Sequence, residues 1–308
     1  MVGAKLVFRN SDIARGYHRG FGQIHAERDL LMNYQGDIPS EAILYVNLEP
    51  CCHQGKTPPC TDIILKRGVQ RVCFGMPDPD VRVAGQGIDL LRRNGVEVIG
   101  PVARAACEYF NRGFVTMRSK GRPWVILKSA RTRDGQIAYA DGAPLKITNE
   151  EQDRWSHEHL RSKVDAILVG VQTIINDDPH LTTRLVSTPQ QEGLERYQPW
   201  RIIFDSSLRI PLASRVLTDP QASKTIVVTA PEAPSGNKVA LRGRGVRVFE
   251  VPLKEGSFAF GKLWEVLSSP TADFKGMTSL LVEGGAKTWD TFRKAGVVDE
   301  EVTLTSTL

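Results

Sequence analysis

The arrangement of one histidine and two cysteines near the N-terminus constrains the fold of this chain more than any other feature. His25 is followed by Ala26 and Glu27, and Cys51 and Cys60 come later, each directly after a proline. Imidazole nitrogen and thiolate sulfur are donors that zinc prefers in proteins. We therefore expect these separated segments to meet around one Zn²⁺, with His25, Cys51 and Cys60 as its ligands.

Three protein ligands are typical of a catalytic zinc site, which keeps its fourth position for a water molecule whose pKa the metal lowers. Glu27 is not needed as a ligand, so we expect it to act as the catalytic acid and base. Two alternatives stay open at this point. The three side chains could be unrelated, or Cys52 or His53 could complete a closed structural site that leaves Glu27 without a catalytic role.

The spacing between the two cysteines narrows the class of enzyme. Nucleobase deaminases combine a His-x-Glu segment with two cysteines that are separated by two residues. Here eight residues separate Cys51 from Cys60, so the pattern of the nucleic-acid-editing deaminases is not matched. Gly55 and the Pro58-Pro59 pair predict a loop between the two cysteines, after which Cys60 opens a helix that runs through Arg67.

Length and composition are those of a globular protein with two hydrophobic cores. The chain has 308 residues, of which 41% are hydrophobic and 24% are charged. The net charge of +5 is dispersed along the sequence, so it does not by itself decide between nucleic acid and a substrate and cofactor that carry phosphates. The eight-residue gap between the cysteines and the lack of a clustered basic and aromatic surface argue against nucleic acid, so we expect a small-molecule partner. No apolar run is long enough to cross a bilayer, and no signal peptide is evident, which predicts no membrane association and a cytoplasmic location.

Short apolar segments alternate with helical patterns along the whole chain, which predicts an α/β fold with mainly parallel sheets. A helix is expected over residues 103–117, and the polar stretch 118–123 then marks a join. We predict two domains, residues 1–120 and residues 121–308. The predicted strands are 43–46, 72–75 and 96–99 in the first domain, and 124–128, 165–170, 201–205, 225–229 and 279–283 in the second.

Two glycine-marked turns at predicted strand ends are candidate phosphate sites in the second domain. One turn begins at Gly170, and the other is Gly284-Gly285, directly before a predicted helix. Backbone amides at such positions can bind a phosphate or pyrophosphate. A plain tight turn is the alternative for each of them.

Several further motifs together resemble the bifunctional deaminase and reductase family of riboflavin biosynthesis. The likeness covers nearly all of the sequence and rests on these segments: Gly16-Tyr17-His18, His25-Ala26-Glu27, Leu48-Glu49-Pro50-Cys51, Thr57-Pro58-Pro59-Cys60, Asp78-Pro79, Asp177-Asp178-Pro179, Asp205-Ser206 and Val282-Glu283-Gly284-Gly285. The resemblance implies a cytidine-deaminase-like three-layer α/β/α domain, followed by a dihydrofolate-reductase-like α/β domain. It also implies two activities, a zinc-dependent pyrimidine deamination and an NADPH-dependent reduction of a ribosyl chain to ribityl.

The same resemblance assigns binding residues in both domains. In the deaminase it implies that His18, His53 and Lys56 contact the phosphoribosyl-pyrimidine substrate. In the reductase it implies substrate contacts from Arg161, Leu181, Arg184 and Glu283, and NADPH contacts from Ala130, Thr173, Asp177, Ser206, Gly284, Gly285 and Ala286. We expect Arg161 and Arg184 to clamp a phosphate in bidentate fashion, an ion-paired arginine being the alternative.

The resemblance also bears on the ends of the chain and on its assembly. Members of the family carry a further helix before the first strand and further reductase strands after the position of Leu308, so we expect both ends to be shortened here. The family likeness implies a homo-oligomer. Deaminase activity alone, a non-catalytic remnant and a nucleic-acid base deaminase stay open as alternative functions.

Overall fold

The structure is a computed structural model that describes residues 2–20, 22–80, 84–136, 147–186, 198–271 and 273–306. The chain divides into two compact units, Met1–Gly121 and Arg122–Leu308. Within the described ranges, no helix has the length and apolar character required to cross a membrane.

The first unit is built on a mixed five-stranded sheet in the order β2-β1-β3-β4-β5. Strands β3, β4 and β5 are parallel, whereas β1 pairs antiparallel with both β2 and β3. The three strands predicted for this domain are parallel, as expected, and β1 and β2 add an antiparallel part that the prediction did not include. The strands are β1 (Gly3–Phe8), β2 (Ser11–Tyr17), β3 (Ile43–Val46), β4 (Arg71–Phe74) and β5 (Glu97–Ile99).

A tight hairpin explains the antiparallel start. Arg9 and Asn10, between β1 and β2, have φ values of 50° and 62°. Two consecutive residues with positive φ match the right-handed twist of a two-residue hairpin. Because no Asn-Gly or Asp-Gly pair marks this turn, the sequence gives little warning of it.

Of the five helices described in this unit, the first three contribute apolar residues to the core of the sheet. Leu30 and Leu31 of the first helix join Ile64 of the second and Leu6 and Leu44 of the sheet in one buried cluster. The helix predicted over residues 103–117 is broken at Asn111, whose side chain donates a hydrogen bond to the carbonyl of Cys107. The helices are α1 (Ala26–Asn33), α2 (Cys60–Lys66), α3 (Gln86–Arg93), α4 (Arg104–Phe110) and α5 (Arg112–Lys120).

The second unit contains a seven-stranded sheet in the order β10-β9-β8-β7-β13-β6-β14, in which every neighbouring pair of described strands is parallel. Its strands are β6 (Trp124–Arg131), β7 (Ala166–Gly170), β8 (Trp200–Phe204), β9 (Thr225–Thr229), β10 (Arg247–Glu250), β13 (Ser279–Val282) and β14 (Glu300–Thr305). A separate small hairpin consists of β11 (Leu253–Lys254) and β12 (Ser257–Phe258).

Hydrophobic cores cover both faces of the second sheet. Val125 and Leu127 of β6 belong to one cluster, whereas Ile126 between them belongs to the other. Burial on both faces is the reason that parallel strands read as continuous apolar runs, which made them predictable. The helices of this unit are α6 (Glu150–His159), α7 (Val171–Asp177), α8 (Arg215–Thr218), α9 (Ser235–Arg242), α10 (Phe260–Ser268) and α11 (Ala286–Lys294).

Candidate active sites

The first unit brings the three predicted zinc ligands together. The Nδ1 atom of His25 lies 3.4 Å from the sulfur of Cys51 and 3.4 Å from the sulfur of Cys60. All three donor atoms lie within 4.8 Å of one another. Tetrahedral zinc, with bonds of about 2.0 Å to nitrogen and about 2.3 Å to sulfur, requires a nitrogen to sulfur separation of about 3.5 Å. The donor set and its spacing therefore fit zinc.

Helix starts place two of these residues. His25 directly precedes α1, and Cys60 is the first residue of α2, as predicted. Arg28 in the first turn of α1 donates a hydrogen bond of 3.1 Å to the carbonyl of Pro59, which ties the two helix starts together. The backbone amide of Cys60 in turn donates to the sulfur of Cys51 at 3.4 Å.

The end of β2 packs tightly against the beginning of α1. A Cβ atom on Gly16 would lie 2.3 Å from the carbonyl oxygen of Ala26, so only glycine fits at this position. Asp29 accepts a hydrogen bond from the backbone amide of Tyr17. These contacts set His18 beside His25, with their rings edge to face and 5.5 Å apart.

Hydrogen bonds among His25, Cys51 and Cys60 shift the pKa values of all three side chains. The pKa of Cys51 is lowered to about 4, chiefly because the Cys60 thiol and then His25 hydrogen-bond to its sulfur. The same bonds raise the pKa of Cys60 and of His25. A thiolate is thus favoured at Cys51, and a thiolate is the form in which cysteine binds a metal.

Glu27 lies in the first turn of α1, and only 3% of it is exposed. Burial raises the pKa of its carboxyl to about 7, and the neighbouring charge of Cys51 adds to this effect. The charge of this carboxyl group interacts with both Cys51 and Cys60. The carboxyl that we predicted to remain unligated is therefore beside the donor triad and shielded from bulk water.

A small cavity lies next to the triad. Its lining residues are Glu49, Pro50, Cys51, Cys52, His53, Asp78 and Gly87. Among the described residues, the cluster of donors that can share one ion consists of His25, Cys51 and Cys60 and excludes Cys52 and His53. This arrangement favours three protein ligands over the closed structural site.

The three residues that the resemblance assigns to substrate binding in the deaminase differ in their position relative to the cavity. His53 lines the cavity, and His18 holds its Nδ1 atom 3.0 Å from the carbonyl of Ile24. The exposed Lys56 belongs to the loop that precedes Cys60, and its side chain lies near Gly22. Their contact with a substrate remains a prediction.

In the second unit, most residues assigned to NADPH gather at one edge of the sheet. Ala130 lies near the end of β6, and Thr173, Ser206 and Gly284 follow the ends of β7, β8 and β13. These four strands are neighbours in the order β8-β7-β13-β6. The carboxyl edge of a parallel sheet is where ligands bind in such folds. Asp177 lies farther away, at the end of α7, and is exposed.

The Gly284-Gly285 turn has the features of a phosphate cradle. A Cβ atom on Gly284 would lie 2.8 Å from the Val169 side chain and 2.9 Å from the hydroxyl of Thr173. Gly285 has a φ of 73° and directly precedes α11, whose first backbone amides face the turn. The turn therefore fits a cofactor phosphate at a helix N-terminus.

Arg161 does not have the geometry of the predicted phosphate clamp. Its guanidinium donates to Glu283 through Nε at 2.8 Å and through a terminal nitrogen at 2.5 Å. The remaining terminal nitrogen donates to the carbonyl of Thr182 and contacts His157. The structure thus supports the ion-paired alternative for Arg161, because the bidentate face of the guanidinium is already used by Glu283.

The other two residues assigned to the reductase substrate flank this ion pair. Leu181 is 2% exposed and packs in the core, which leaves its main chain for the predicted contact. Arg184 is exposed, and its charge reaches His157. Although burial opposes ionisation of Glu283, the charge and hydrogen bonds of Arg161 lower its pKa to about 2.

His157, which the sequence did not single out, makes the stability of the second unit depend on pH. Burial and the charges of Arg161 and Arg184 lower its pKa from 6.5 to about 4, although Glu283 and Asp153 oppose the shift. Between pH 6.5 and pH 4, His157 is protonated in the unfolded chain but remains neutral in the folded unit. We expect the free energy of unfolding to fall by about 2 to 3 kcal/mol as the pH decreases through this window.

Tryptophan fluorescence can follow this unfolding, because all five tryptophans lie between residues 124 and 289, in the second unit. In urea titrations, His157→Gln should flatten the pH dependence over this window. The exposed His159 two residues away provides the control, and His159→Gln should keep the wild-type slope. An unchanged slope in His157→Gln would contradict the assignment.

The fold and the site together define a class: a cytidine-deaminase-type domain with a zinc motif, joined to a reductase-type α/β domain. Residues 1–76 match the family described as the cytidine and deoxycytidylate deaminase zinc-binding region, and residues 123–306 match the RibD C-terminal domain. The chain belongs to the RibD family.

Relatives and solved structures agree with this membership. The chain is 38% identical over 301 residues to riboflavin biosynthesis protein RibD of Aquifex aeolicus, an alignment that spans 98% of this chain and 79% of that protein. The structure of Acinetobacter baumannii RibD superposes with a TM-score of 0.82 at 31% identity, covering all of this chain and 80% of the other. A structure of the deaminase/reductase of Thermotoga maritima gives a TM-score of 0.80 at 32% identity, with the same coverage.

Proposed function

We propose that this chain catalyses two successive reactions of riboflavin biosynthesis. The first is the hydrolytic deamination of 2,5-diamino-6-(5-phosphoribosylamino)pyrimidin-4(3H)-one, and the second is the NADPH-dependent reduction of the ribosyl chain to ribityl. The observation that carries the proposal is the buried Glu27 beside the triad of His25, Cys51 and Cys60, in a chain of the RibD family. The Thermotoga maritima relative is named for both activities.

The two units divide the chemistry. We assign deamination to residues 1–120, with zinc as its metal, and reduction to residues 121–308, with NADPH as its cofactor. Family membership implies both cofactors. The donor triad fits the first, and the glycine cradle before α11 fits the second.

Deamination requires a nucleophile and a proton carrier. Zinc, when bound by His25, Cys51 and Cys60, supplies a water acidic enough to react near neutral pH. A carboxylate oxygen of Glu27 takes a proton from the attacking water and passes it to the leaving amino group. The bond from carbon to nitrogen breaks, ammonia leaves, and a ring carbonyl forms. His18, His53 and Lys56 bind the phosphoribosyl-pyrimidine substrate.

Reduction depends on two groups of residues at the carboxyl edge of the second sheet. NADPH supplies the hydride when bound. Backbone amides of Gly284, Gly285 and Ala286 hold a cofactor phosphate, and Ala130, Thr173, Asp177 and Ser206 complete its contacts. Glu283, held ionised by Arg161, and the segment from Leu181 to Arg184 face the substrate side.

A coupled assay distinguishes this proposal from its alternatives. With the diaminopyrimidine substrate, we expect ammonia release first and NADPH oxidation only after it. With the uracil product of the first step, NADPH oxidation should begin at once. Ammonia release without NADPH oxidation would leave a deaminase alone, and the absence of both would indicate a non-catalytic remnant.

Gly284→Ala should weaken NADPH binding at least about tenfold, because the added methyl group would contact Val169 and Thr173 at less than 3.0 Å and displace the turn. Fluorescence titration of NADPH measures the dissociation constant. Gly236→Ala in α9 is the matched control, since a Cβ atom there meets nothing within 4 Å. Equal affinity in the wild type and in Gly284→Ala would contradict the phosphate cradle.

Two further assignments belong to this proposal. We place the protein in the cytoplasm, where its five free cysteines stay reduced. We also propose a homo-oligomer, as the family likeness implies, which analytical ultracentrifugation tests.

A further inference from the structure

A buried glutamate beside the metal triad has no role in the chemistry described above. Glu49 is 4% exposed and lies two residues before Cys51. Its carboxylate accepts three backbone hydrogen bonds, from Asp78 at 3.1 Å and Gly85 at 2.9 Å on one oxygen, and from Gly87 at 3.1 Å on the other. All three donors come after β4 in the sequence, and the last of them, Gly87, lies in the first turn of α3.

Glu49 supplies the cap that the start of α3 lacks. Helix α3 begins at Gln86, and the preceding Gly85, with a φ of 84°, has no side chain that could cap the helix. The Glu49 carboxylate binds amides of Gly85 and of the first turn, where the helix dipole favours a negative charge. One glutamate from a distant part of the sequence therefore caps α3.

Backbone contacts bring the chain after β4 against the metal-binding loop. The amide of Glu49 donates to the carbonyl of Met76 at 2.9 Å. A Cβ atom on Gly87 would lie 1.9 Å from the carbonyl oxygen of Pro50, so glycine is required for this approach. Met76 and Gly87 thus contact Glu49 and Pro50, immediately before the ligand Cys51.

This attachment shapes the cavity next to the triad. Asp78 and Gly87 line it together with Pro50, Cys51 and His53. We propose that Glu49 is a positioning residue for deamination: its carboxylate holds the wall formed by Asp78 and Gly87 at the distance from Cys51 that the pyrimidine ring requires. The inference rests on the proposed deaminase function and assigns a part of that site that none of the predicted residues covers.

Glu49→Gln tests the proposal with little change in shape. The amide keeps one acceptor oxygen but turns an NH₂ group toward backbone donors, so at least one of the three bonds is lost. The exposed Glu41, in the same unit, provides the control variant Glu41→Gln. Three quantities are compared in the full chain: the zinc content, the KM and kcat of ammonia release, and hydrogen exchange at Gly85 and Gly87.

We expect Glu49→Gln to keep the zinc content of the wild type and to exchange the amides of Gly85 and Gly87 faster. KM for the diaminopyrimidine should rise about tenfold with a smaller change in kcat, because the wall is displaced while Glu27 and the metal ligands stay in place. Faster exchange with KM within twofold of the wild type would overturn the proposal. Loss of zinc in a folded variant would also overturn it, since Glu49 would then support the metal rather than the wall.

A second measurement needs no variant and decides the matter if Glu49→Gln does not fold. Addition of the uracil product to the wild-type protein should slow exchange at Gly85 and Gly87, and unchanged exchange would overturn the proposal. Failure of the proposed function itself looks different. In that case the wild type and Glu41→Gln would release no ammonia either, and the substrate role of the wall would fall with it.

Discussion

Glu27→Gln should slow ammonia release by at least about a hundredfold while leaving the zinc content at the wild-type level. The amide has nearly the same shape as the carboxyl, so the buried site beside Cys60 can accommodate it, and none of the three metal ligands changes. A glutamine cannot take a proton from water and return it to the leaving nitrogen. General acid and base catalysis contributes about a hundredfold to ten-thousandfold, so we expect kcat for deamination to fall by that factor.

The second activity provides an internal control for this experiment. NADPH oxidation with the uracil substrate should keep its wild-type rate in Glu27→Gln, because the reductase residues lie in the other unit. The exposed Glu41→Gln should keep both activities. Ammonia release at the wild-type rate from a zinc-loaded Glu27→Gln would exclude Glu27 as the proton carrier.

Arg161→Met should destabilise the second unit by about 3 to 5 kcal/mol, the cost of leaving one partner of a buried ion pair alone. Only 14% of the Arg161 side chain and 7% of the Glu283 side chain are exposed. Removing the guanidinium would leave the Glu283 carboxylate in a site where burial opposes its charge, and would also remove the hydrogen bond to the carbonyl of Thr182. Urea unfolding followed by tryptophan fluorescence measures the effect.

Two further variants separate the ion pair from simple loss of a side chain. Replacing both partners, as Arg161→Met with Glu283→Met, should recover most of the lost stability, because an apolar pair replaces the charged one without leaving a charge uncompensated. Arg209→Met, at an exposed position of the same unit, should be close to neutral. A loss below about 1 kcal/mol in Arg161→Met would place the pair among surface ion pairs.

The sequence indicated which donors come together because each of them stands in a short local motif. Each of the three donors and the carboxyl lies at a helix start or next to a proline, so its neighbours in the sequence mark it. The structure brings the three donor atoms within 4.8 Å of one another. The buried parallel strands were predictable for a similar reason, since burial on both faces produces continuous apolar runs. The exposed edge strand β14, with an alternating pattern of half-buried and exposed residues, produced no such run.

The roles that could not be predicted from the sequence depend mostly on interactions between distant residues. Arg161 and Glu283 are 122 positions apart, so the residues around Arg161 in the sequence do not show that its partner is a carboxylate rather than the phosphate that we expected. Glu49 stands in a recognised motif, yet its role depends on three amides that lie 29 to 38 positions away. Neither pairing has a local signal.

X-ray absorption at the zinc edge of the purified protein tests the central claim most directly, because it counts the sulfur and imidazole donors around the metal. We predict one zinc per chain with two sulfurs and one imidazole from the protein, assigned by the loss of one sulfur in Cys51→Ser and in Cys60→Ser. A third sulfur or a second imidazole, supplied by Cys52 or His53, would describe a closed structural site and contradict the account, as would a protein without zinc.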